Sequence, residues 1–323
     1  MVVTEHGGVD VLQVQEGSVP DPGPEQLLVQ VAASGVNFVD VYRREGVYPG
    51  SPPFVSGGEC AGRVVAAGPA VSGFSVGDLV ASASASAGSH ADYVLLDAAS
   101  TVPVPDGVDA RLAAAAMLQG MTAHYLVHST YPVQPGDTVL VHAGAGGVGQ
   151  LLIQMAKSLG GRVIATVGSE RKVAVARRVG ADAVLRYDQL SSTAELAGAV
   201  RELVPYGVHA VYDGVGKTTF DASLAALRIR GMLVLYGGAS GQVPPFDLQR
   251  LNAAGSLFIT RPTLVHYLRT RDELLGRASA VLGSIAAGTL KVEIGGQYPL
   301  SDVRQAYRDL ESRASTGKLL IVP

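Results

Sequence analysis

Thr138-Val139-Leu140-Val141-His142-Ala143-Gly144-Ala145-Gly146-Gly147-Val148-Gly149-Gln150 is the stretch on which the reading of this chain turns. Gly144, Gly146 and Gly149 stand in G-x-G-x-x-G spacing. Alone, that spacing means little, and a glycine-rich turn with no ligand would satisfy it. Its surroundings add weight. Thr138–His142 reads as a short apolar strand, and Leu151–Leu159 as a helix with Leu151, Leu152, Met155, Ala156 and Leu159 on one face. Gly160-Gly161 ends that helix, and Arg162–Val167 reads as a second strand. A glycine fingerprint between strand and helix, inside a βαβ unit, predicts a dinucleotide site. The first glycine would allow the tight turn, the second the approach of backbone to a pyrophosphate, and the third close helix–strand packing. Gly147 and Val148 belong to the loop that would meet the cofactor, and the free N–H groups at the N-terminus of the helix that follows attract an anion.

The end of the second strand bears on which dinucleotide binds. An acidic residue about 20 positions beyond the glycines would hold a ribose 2′-OH, as NAD requires. Here the chain reads Val167-Gly168-Ser169-Glu170-Arg171-Lys172. Gly168 leaves room, Ser169 can donate to a phosphate, and Arg171 and Lys172 add positive charge. Cations in a helix's first turn oppose its dipole, and a bound anion would compensate. These residues favour NADPH. Glu170 supports the alternative, since it would serve a 2′-OH if the strand ended two residues later.

Beyond the loop the alternation continues. Lys172–Val179 is predicted helical, Ala183–Leu185 a strand, Glu195–Val204 a helix and Val208–Tyr212 a strand. A helix marked by Phe220, Leu224 and Leu227 is closed by Gly231, and Met232–Tyr236 is the next strand. Such alternation implies a doubly wound parallel sheet of the Rossmann type. Upstream, residues 1–108 read as short strands between turn clusters such as Pro20–Pro24 and Tyr48–Pro53, which suits a mostly antiparallel β domain. Asp109–Ser129 has Ala-rich helical composition. After Arg261-Pro262 come a long helix over Leu264–Ala287, a strand at Leu290–Glu293, a helix over Val303–Ser312 and a closing strand at Lys318–Ile321.

Composition narrows the class. The 323 residues suffice for two domains, and 40 glycines and 17 prolines without a period indicate many tight turns. A formal net charge of −3 offers no basic excess for neutralising phosphates, so nucleic acid is not the expected partner. The single cysteine, Cys60, excludes a disulfide framework and a multi-thiolate zinc site. The longest apolar run, Leu112–Leu118, falls far short of the roughly 20 residues that span a bilayer. The N-terminal MVVTEHGG shows no secretory pattern, and a cytoplasmic location is expected.

Several stretches carry a wider resemblance: Gly35-Val36-Asn37-Phe38-Val39-Asp40, Tyr48-Pro49, Gly57-Gly58-Glu59, Gln119-Gly120-Met121-Thr122-Ala123, the loop at 142–149, Phe258-Ile259-Thr260-Arg261-Pro262 and Glu311-Ser312-Arg313. Together they resemble the zinc-free quinone oxidoreductase, zeta-crystallin-like, branch of the medium-chain dehydrogenase/reductase superfamily, over essentially the whole chain. The resemblance implies a GroES-like substrate domain at 1–119 and 262–323, a Rossmann domain at 120–261, and substrate entry between them. Where the superfamily's zinc alcohol dehydrogenases place a first catalytic Cys, this chain has Asn37. Where they have Gly-His-Glu, it has Gly57-Gly58-Glu59, and only Ala, Ser and Gly fill 81–89 in place of a four-cysteine lobe. No zinc is therefore expected, and His90 is expected to pack or cap a loop.

For the substrate side the resemblance implies Asn37, Tyr42 and Tyr48, with Tyr48, or a water it holds, stabilising a developing oxyanion. For NADPH it implies Phe38, Asp40, Tyr42, Tyr125, Tyr187, Gly237, Gly238, Phe258, Thr260, Arg261 and Arg313, beside Gly144, Gly146, Gly147, Val148, Gly168, Ser169 and Lys172. Gly214, where close relatives often carry Ser, and Ser169, where they carry Thr, depart from the pattern. The implied activity is hydride transfer from NADPH to quinones or α,β-unsaturated carbonyls, acceptors that need no metal activation. A dedicated enoyl reductase of a biosynthetic pathway, and a non-catalytic NADPH-binding or RNA-binding protein, are the rival readings. A homodimer through a Rossmann edge strand at Ser256–Thr260 is also implied.

Overall fold

A computed structural model describes residues 1–190 and 192–323. The chain divides into two compact units, Thr122–Tyr267 and Met1–Met121 with Leu268–Pro323.

The first of these units holds a six-stranded sheet built outward from the glycine loop. Its strands are β1 (Thr138–Val141), β2 (Arg162–Val167), β3 (Ala183–Arg186), β4 (Val208–Asp213), β5 (Leu227–Leu235) and β6 (Phe258–Thr260). The spatial order is β3-β2-β1-β4-β5-β6, and every ladder is parallel. That order reverses beside β1, so the crevice at the carboxyl ends of β1 and β4 is the expected ligand position of an open α/β sheet. The connecting helices are α1 (Gly147–Ser158), α2 (Glu170–Arg178), α3 (Thr193–Leu203) and α4 (Phe220–Ala226). All four residues of β1 are buried, because helices cover both faces of a parallel sheet. Leu140, Ile164, Val211, Phe220, Leu224 and Leu233 form one core under α3 and α4.

The other unit is β-rich. A seven-stranded sheet runs Ile294–Pro299, Lys318–Val322, Gln26–Gly35, Cys60–Ala67, Leu79–Ser82 and Val102–Pro103, with Tyr93–Asp97 also paired to Gln26–Gly35. A small three-stranded sheet joins Leu12–Gln13, Val2–Val3 and Phe54–Val55. Leu27, Val29, Val64, Val80 and Leu96 fill one core, and the helix Val303–Glu311 closes another with Val303, Ala306 and Tyr307.

Several boundaries differ from the sequence expectation. The long helix over 264–287 is two pieces, a 3₁₀ turn Leu264–Tyr267 and a helix Arg271–Ala286. Thr270 caps the second piece: Glu273 N–H donates to its hydroxyl at 3.2 Å, and the Glu273 carboxylate accepts from Arg269 N–H at 2.8 Å. The strand expected at Leu290–Glu293 lies at Ile294–Pro299, where it pairs with Lys318–Val322, while Leu290 is buried beneath the preceding helix end. Leu227 belongs to a strand, since it pairs with Val208, and α4 therefore ends at Ala226 rather than near Gly231. The helix expected over 109–129 is α-helical only over Ala110–Tyr125 and finishes in a wider turn at Leu126–Thr130. A helix at Phe38–Arg44 interrupts what reads as an all-strand region.

Candidate functional site

In the α/β unit, β1 runs directly into the glycine loop. Gly144 N–H donates to Thr166 O at 2.9 Å, tying the loop to β2. The left-handed residue of the turn is Ala143 (φ +52°), so the turn does not draw on Gly144 for a left-handed backbone. Gly144 is small for another reason: a Cβ there would lie 2.8 Å from the Ala165 side chain on β2. At Gly149 a Cβ would lie 2.3 Å from Ala143 O, so this glycine closes the turn rather than helix against strand. Gly146, Gly147 and Val148 form the half-exposed lip, and the first amides of α1 there have no preceding turn to accept them. This is a cradle that side chains would fill, at the positive end of a helix, and it fits a pyrophosphate.

Beneath the loop lies a buried polar chain that sequence reading did not find. His142 shares hydrogen bonds with Thr166 Oγ1 at 2.8 Å and Ser223 Oγ at 3.0 Å. Ser223 donates to Asp213 Oδ2 at 2.8 Å. Asp213 also accepts from Val215 N–H, Gly216 N–H and the Thr219 hydroxyl at 2.8–3.0 Å. Burial pushes the His142 pKa down, with Asp213 pulling against it. The chain fixes the ends of β1, β2 and β4 together. Past β4, the Tyr236 ring lies where a Gly214 side chain would be, 2.8 Å from its Cβ position, and a Cβ at Gly237 would in turn lie 2.5 Å from Gly214 O. The strand ends thus come together through bare backbone at Gly214, Gly237 and Gly238.

At the end of β2, α2 starts two residues earlier than its apolar spacing indicates, with Ser169 as N-cap and Glu170 as first helical residue. The Ser169 side chain makes no cap bond. Tyr187 follows β3 and places its hydroxyl 2.7 Å from the Cβ position of Gly168, so a side chain there would have to displace the Tyr187 ring. Glu170 accepts from Arg186 at 2.6 Å. Arg171 and Lys172 sit in the first turn of the same helix. Tyr125 is 1% exposed and stacked on Tyr267 at 4.2 Å, so its ring is a packed wall rather than a free surface. Thr260 closes β6 and Arg261 follows it, at the carboxyl end of the sheet, whereas Phe258 opens β6 on the sheet's edge and is 56% exposed.

The β-rich unit holds the other candidates. Phe38, Tyr42 and Tyr48 form a half-exposed aromatic row, with ring centroids 6.2 Å and 5.3 Å apart. Tyr48 N–H donates to Tyr42 O at 3.0 Å, which brings the two tyrosines together. Asn37 is different: it caps the helix Phe38–Arg44, is 4% exposed, and its amide is fully engaged. It donates to Gly35 O at 3.2 Å and Glu59 Oε2 at 2.9 Å, and accepts from Lys318 Nζ at 2.7 Å. Lys318 also pairs with Glu59 at 2.5 Å, and Leu118 N–H donates to the second Glu59 oxygen at 2.6 Å.

Asp40 is likewise buried, and burial pushes its carboxyl up to about 6 against the pull of the Lys318 ammonium. It shares a hydrogen bond with Tyr307, whose hydroxyl meets His90 Nε2 at 2.9 Å. His90 is wholly buried, bonded to Ser34 Oγ at 2.8 Å, and held neutral with its pKa near 3 by burial. Arg313 follows the last helix in a left-handed turn (φ +57°) and is exposed. Glu59 and Lys318 escaped the sequence reading as site residues. The available signal was a lysine heading the apolar run Lys318-Leu319-Leu320-Ile321.

Among the described residues no group of three or more His, Cys, Asp or Glu side chains could hold a metal ion. The donor set itself does not fit zinc: Glu59 and Asn37 already face the Lys318 ammonium, and Cys60 is a buried thiol pushed up to about 12 by burial. Among the described residues no helix is long and apolar enough to cross a membrane.

Two family descriptions match, an alcohol dehydrogenase GroES-like domain over residues 23–106 and a zinc-binding dehydrogenase over 147–274. A quinone oxidoreductase of Pseudomonas aeruginosa is 39% identical, over 98% of this chain and 97% of its own. A 2-haloacrylate reductase of a Burkholderia species is 38% identical, over 100% and 98%. A mycobacterial protein solved with NADPH bound is 50% identical, with a TM-score of 0.96 over 100% of this chain and 99% of that one.

Proposed function

Because the chain belongs to the quinone oxidoreductase family of the medium-chain dehydrogenases/reductases, we propose that it is an NADPH-dependent, zinc-independent reductase of quinones or α,β-unsaturated carbonyls. The observation that carries this is the glycine cradle at the N-terminus of α1, beside a turn that presents Ser169, Arg171 and Lys172. When bound, NADPH supplies the hydride.

The chain's own residues bind, orient and stabilise. Gly144, Gly146, Gly147 and Val148 offer backbone to the pyrophosphate. Gly168, Ser169, Lys172 and Tyr187 receive the 2′-phosphate. Gly237, Gly238, Thr260 and Arg261, at the carboxyl end of the sheet, serve the rest of the cofactor, with Tyr125 as a wall. In the β-rich unit, which we assign the substrate, Phe38, Tyr42 and Tyr48 form the face it lies on. The Tyr48 hydroxyl donates to the oxygen on which negative charge develops. Asn37 and Asp40 act as positioning residues, since both are buried and bonded inward. The similarity to a 2-haloacrylate reductase favours an activated alkene as one acceptor.

The protein acts in the cytoplasm as a homodimer, its second copy pairing along β6, where Phe258 is exposed. Equilibrium binding tests the cofactor. NADPH is expected to bind at least about tenfold tighter than NADH, about 1.4 kcal/mol, and Lys172→Ala to erase that gap. Equal or tighter NADH binding by the unaltered protein would overturn the reading.

A further inference from the structure

The turn that receives the 2′ position contains one carboxylate, Glu170, among Gly168–Lys172. A carboxylate here accepts a ribose 2′-OH and repels a 2′-phosphate, so its presence opposes the choice of NADPH. The structure shows what holds it. Arg186 Nη1 donates to Glu170 Oε2 at 2.6 Å. Arg186 is the last residue of β3 and lies directly opposite Val167, the last residue of β2, so the sheet register delivers its side chain to this turn.

Its position does not depend on Glu170. Asp188, two residues on, grips the guanidinium through two hydrogen bonds, at 2.8 Å and 3.2 Å. The Arg186 side chain is 22% exposed and that of Glu170 77%, so the arginine is the anchored partner. The next residue, Tyr187, covers Gly168 in the same turn. Without Arg186, the two carboxylates of this cluster would match its two remaining cations, Arg171 and Lys172.

We propose that Arg186 is a specificity-determining residue: by holding Glu170 it removes the carboxylate from competition for the 2′ position and lets the turn accept a 2′-phosphate. The inference rests on the NADPH reading above. A surface ion pair adds little to stability; the effect of this one falls on the ligand. A role in folding alone would weaken both nucleotides together, whereas shielding changes their ratio.

The test is equilibrium binding of NADPH and NADH to the full chain, as wild type, Arg186→Met and Arg186→Met/Glu170→Gln. Methionine keeps the aliphatic stem and removes the charge. The expected result is a preference for NADPH in the wild type, a tenfold or larger fall in that ratio in Arg186→Met, and recovery of most of it in the double variant. An unchanged ratio in Arg186→Met would overturn the proposal while leaving the cofactor reading intact. A fall that Glu170→Gln does not repair would also overturn it, since Arg186 would then be acting on the phosphate itself. A wild type without preference for NADPH would remove the cofactor reading, and the role of Arg186 with it.

Discussion

We propose that the chemistry rests on Tyr48, for a reason visible only once the Asn37 amide is accounted for. Asn37 spends both its donors and its acceptor on Gly35, Glu59 and Lys318, so it has no N–H for a substrate oxygen. The proposed donor is therefore a hydroxyl of the half-exposed tyrosine row. Tyr48→Phe is expected to lower kcat about 10²-fold with little change in KM, the size seen when one oxyanion donor is removed. A fall of less than threefold would place the donor elsewhere. Asp40 gives a second residue-level result. Its folded pKa of about 6 lies above the ordinary 3.8, so its protonated form is the one folding favours. That contribution is complete below about pH 4 and lost as pH rises through about 6. It amounts to about 2–3 kcal/mol. Urea denaturation at pH 4 and pH 7.5 should show wild type losing that much relative to Asp40→Asn, whose amide does not titrate. The comparison is made at each pH because His90, neutral in the fold, loses stability in the opposite direction as pH falls from about 6.5 towards 3. Equal pH slopes in the two proteins would show that Asp40 does not titrate in this range.

At the scale of elements, the glycine loop is held together by backbone approaching backbone. A methyl group at Gly149 would lie 2.3 Å from Ala143 O. Gly149→Ala should therefore displace the start of α1, cost about 1–3 kcal/mol of stability and weaken NADPH binding. A variant with unchanged melting and unchanged affinity would contradict the turn described. This loop was legible in the sequence because glycine spacing, strand and helix agreed there; only the division of labour among the glycines was not, since φ +52° at Ala143 has no sequence signal. The strands of the α/β unit were legible for the same reason, as continuous apolar runs. The start of β5 was not, because an apolar Leu227 at helical spacing from Leu224 satisfies both patterns until it is paired with Val208. The helix at Phe38–Arg44 was hidden by its brevity. The partners of Asn37 and Glu170 come from residues 318 and 186, and local pattern carries no information about such contacts.

At the scale of the molecule, the α/β sheet ends in β6, which pairs only with β5 among the described residues. An apolar edge strand is a template for another chain, and Phe258 stands on it 56% exposed. Light scattering should give twice the chain mass for wild type and the single mass for Phe258→Lys; a monomeric wild type would contradict the edge pairing. The two units have separate cores, one carrying the glycine cradle and the other the tyrosine row, and we propose that the first holds the nucleotide and the second presents the acceptor. The measurement that tests this account most directly is steady-state oxidation of NADPH and of NADH by the purified, metal-free protein across quinones and activated alkenes. Turnover of at least one acceptor is expected with NADPH, undiminished by chelator and at least tenfold less efficient with NADH. No turnover across the panel, or turnover that needs added zinc, would contradict it.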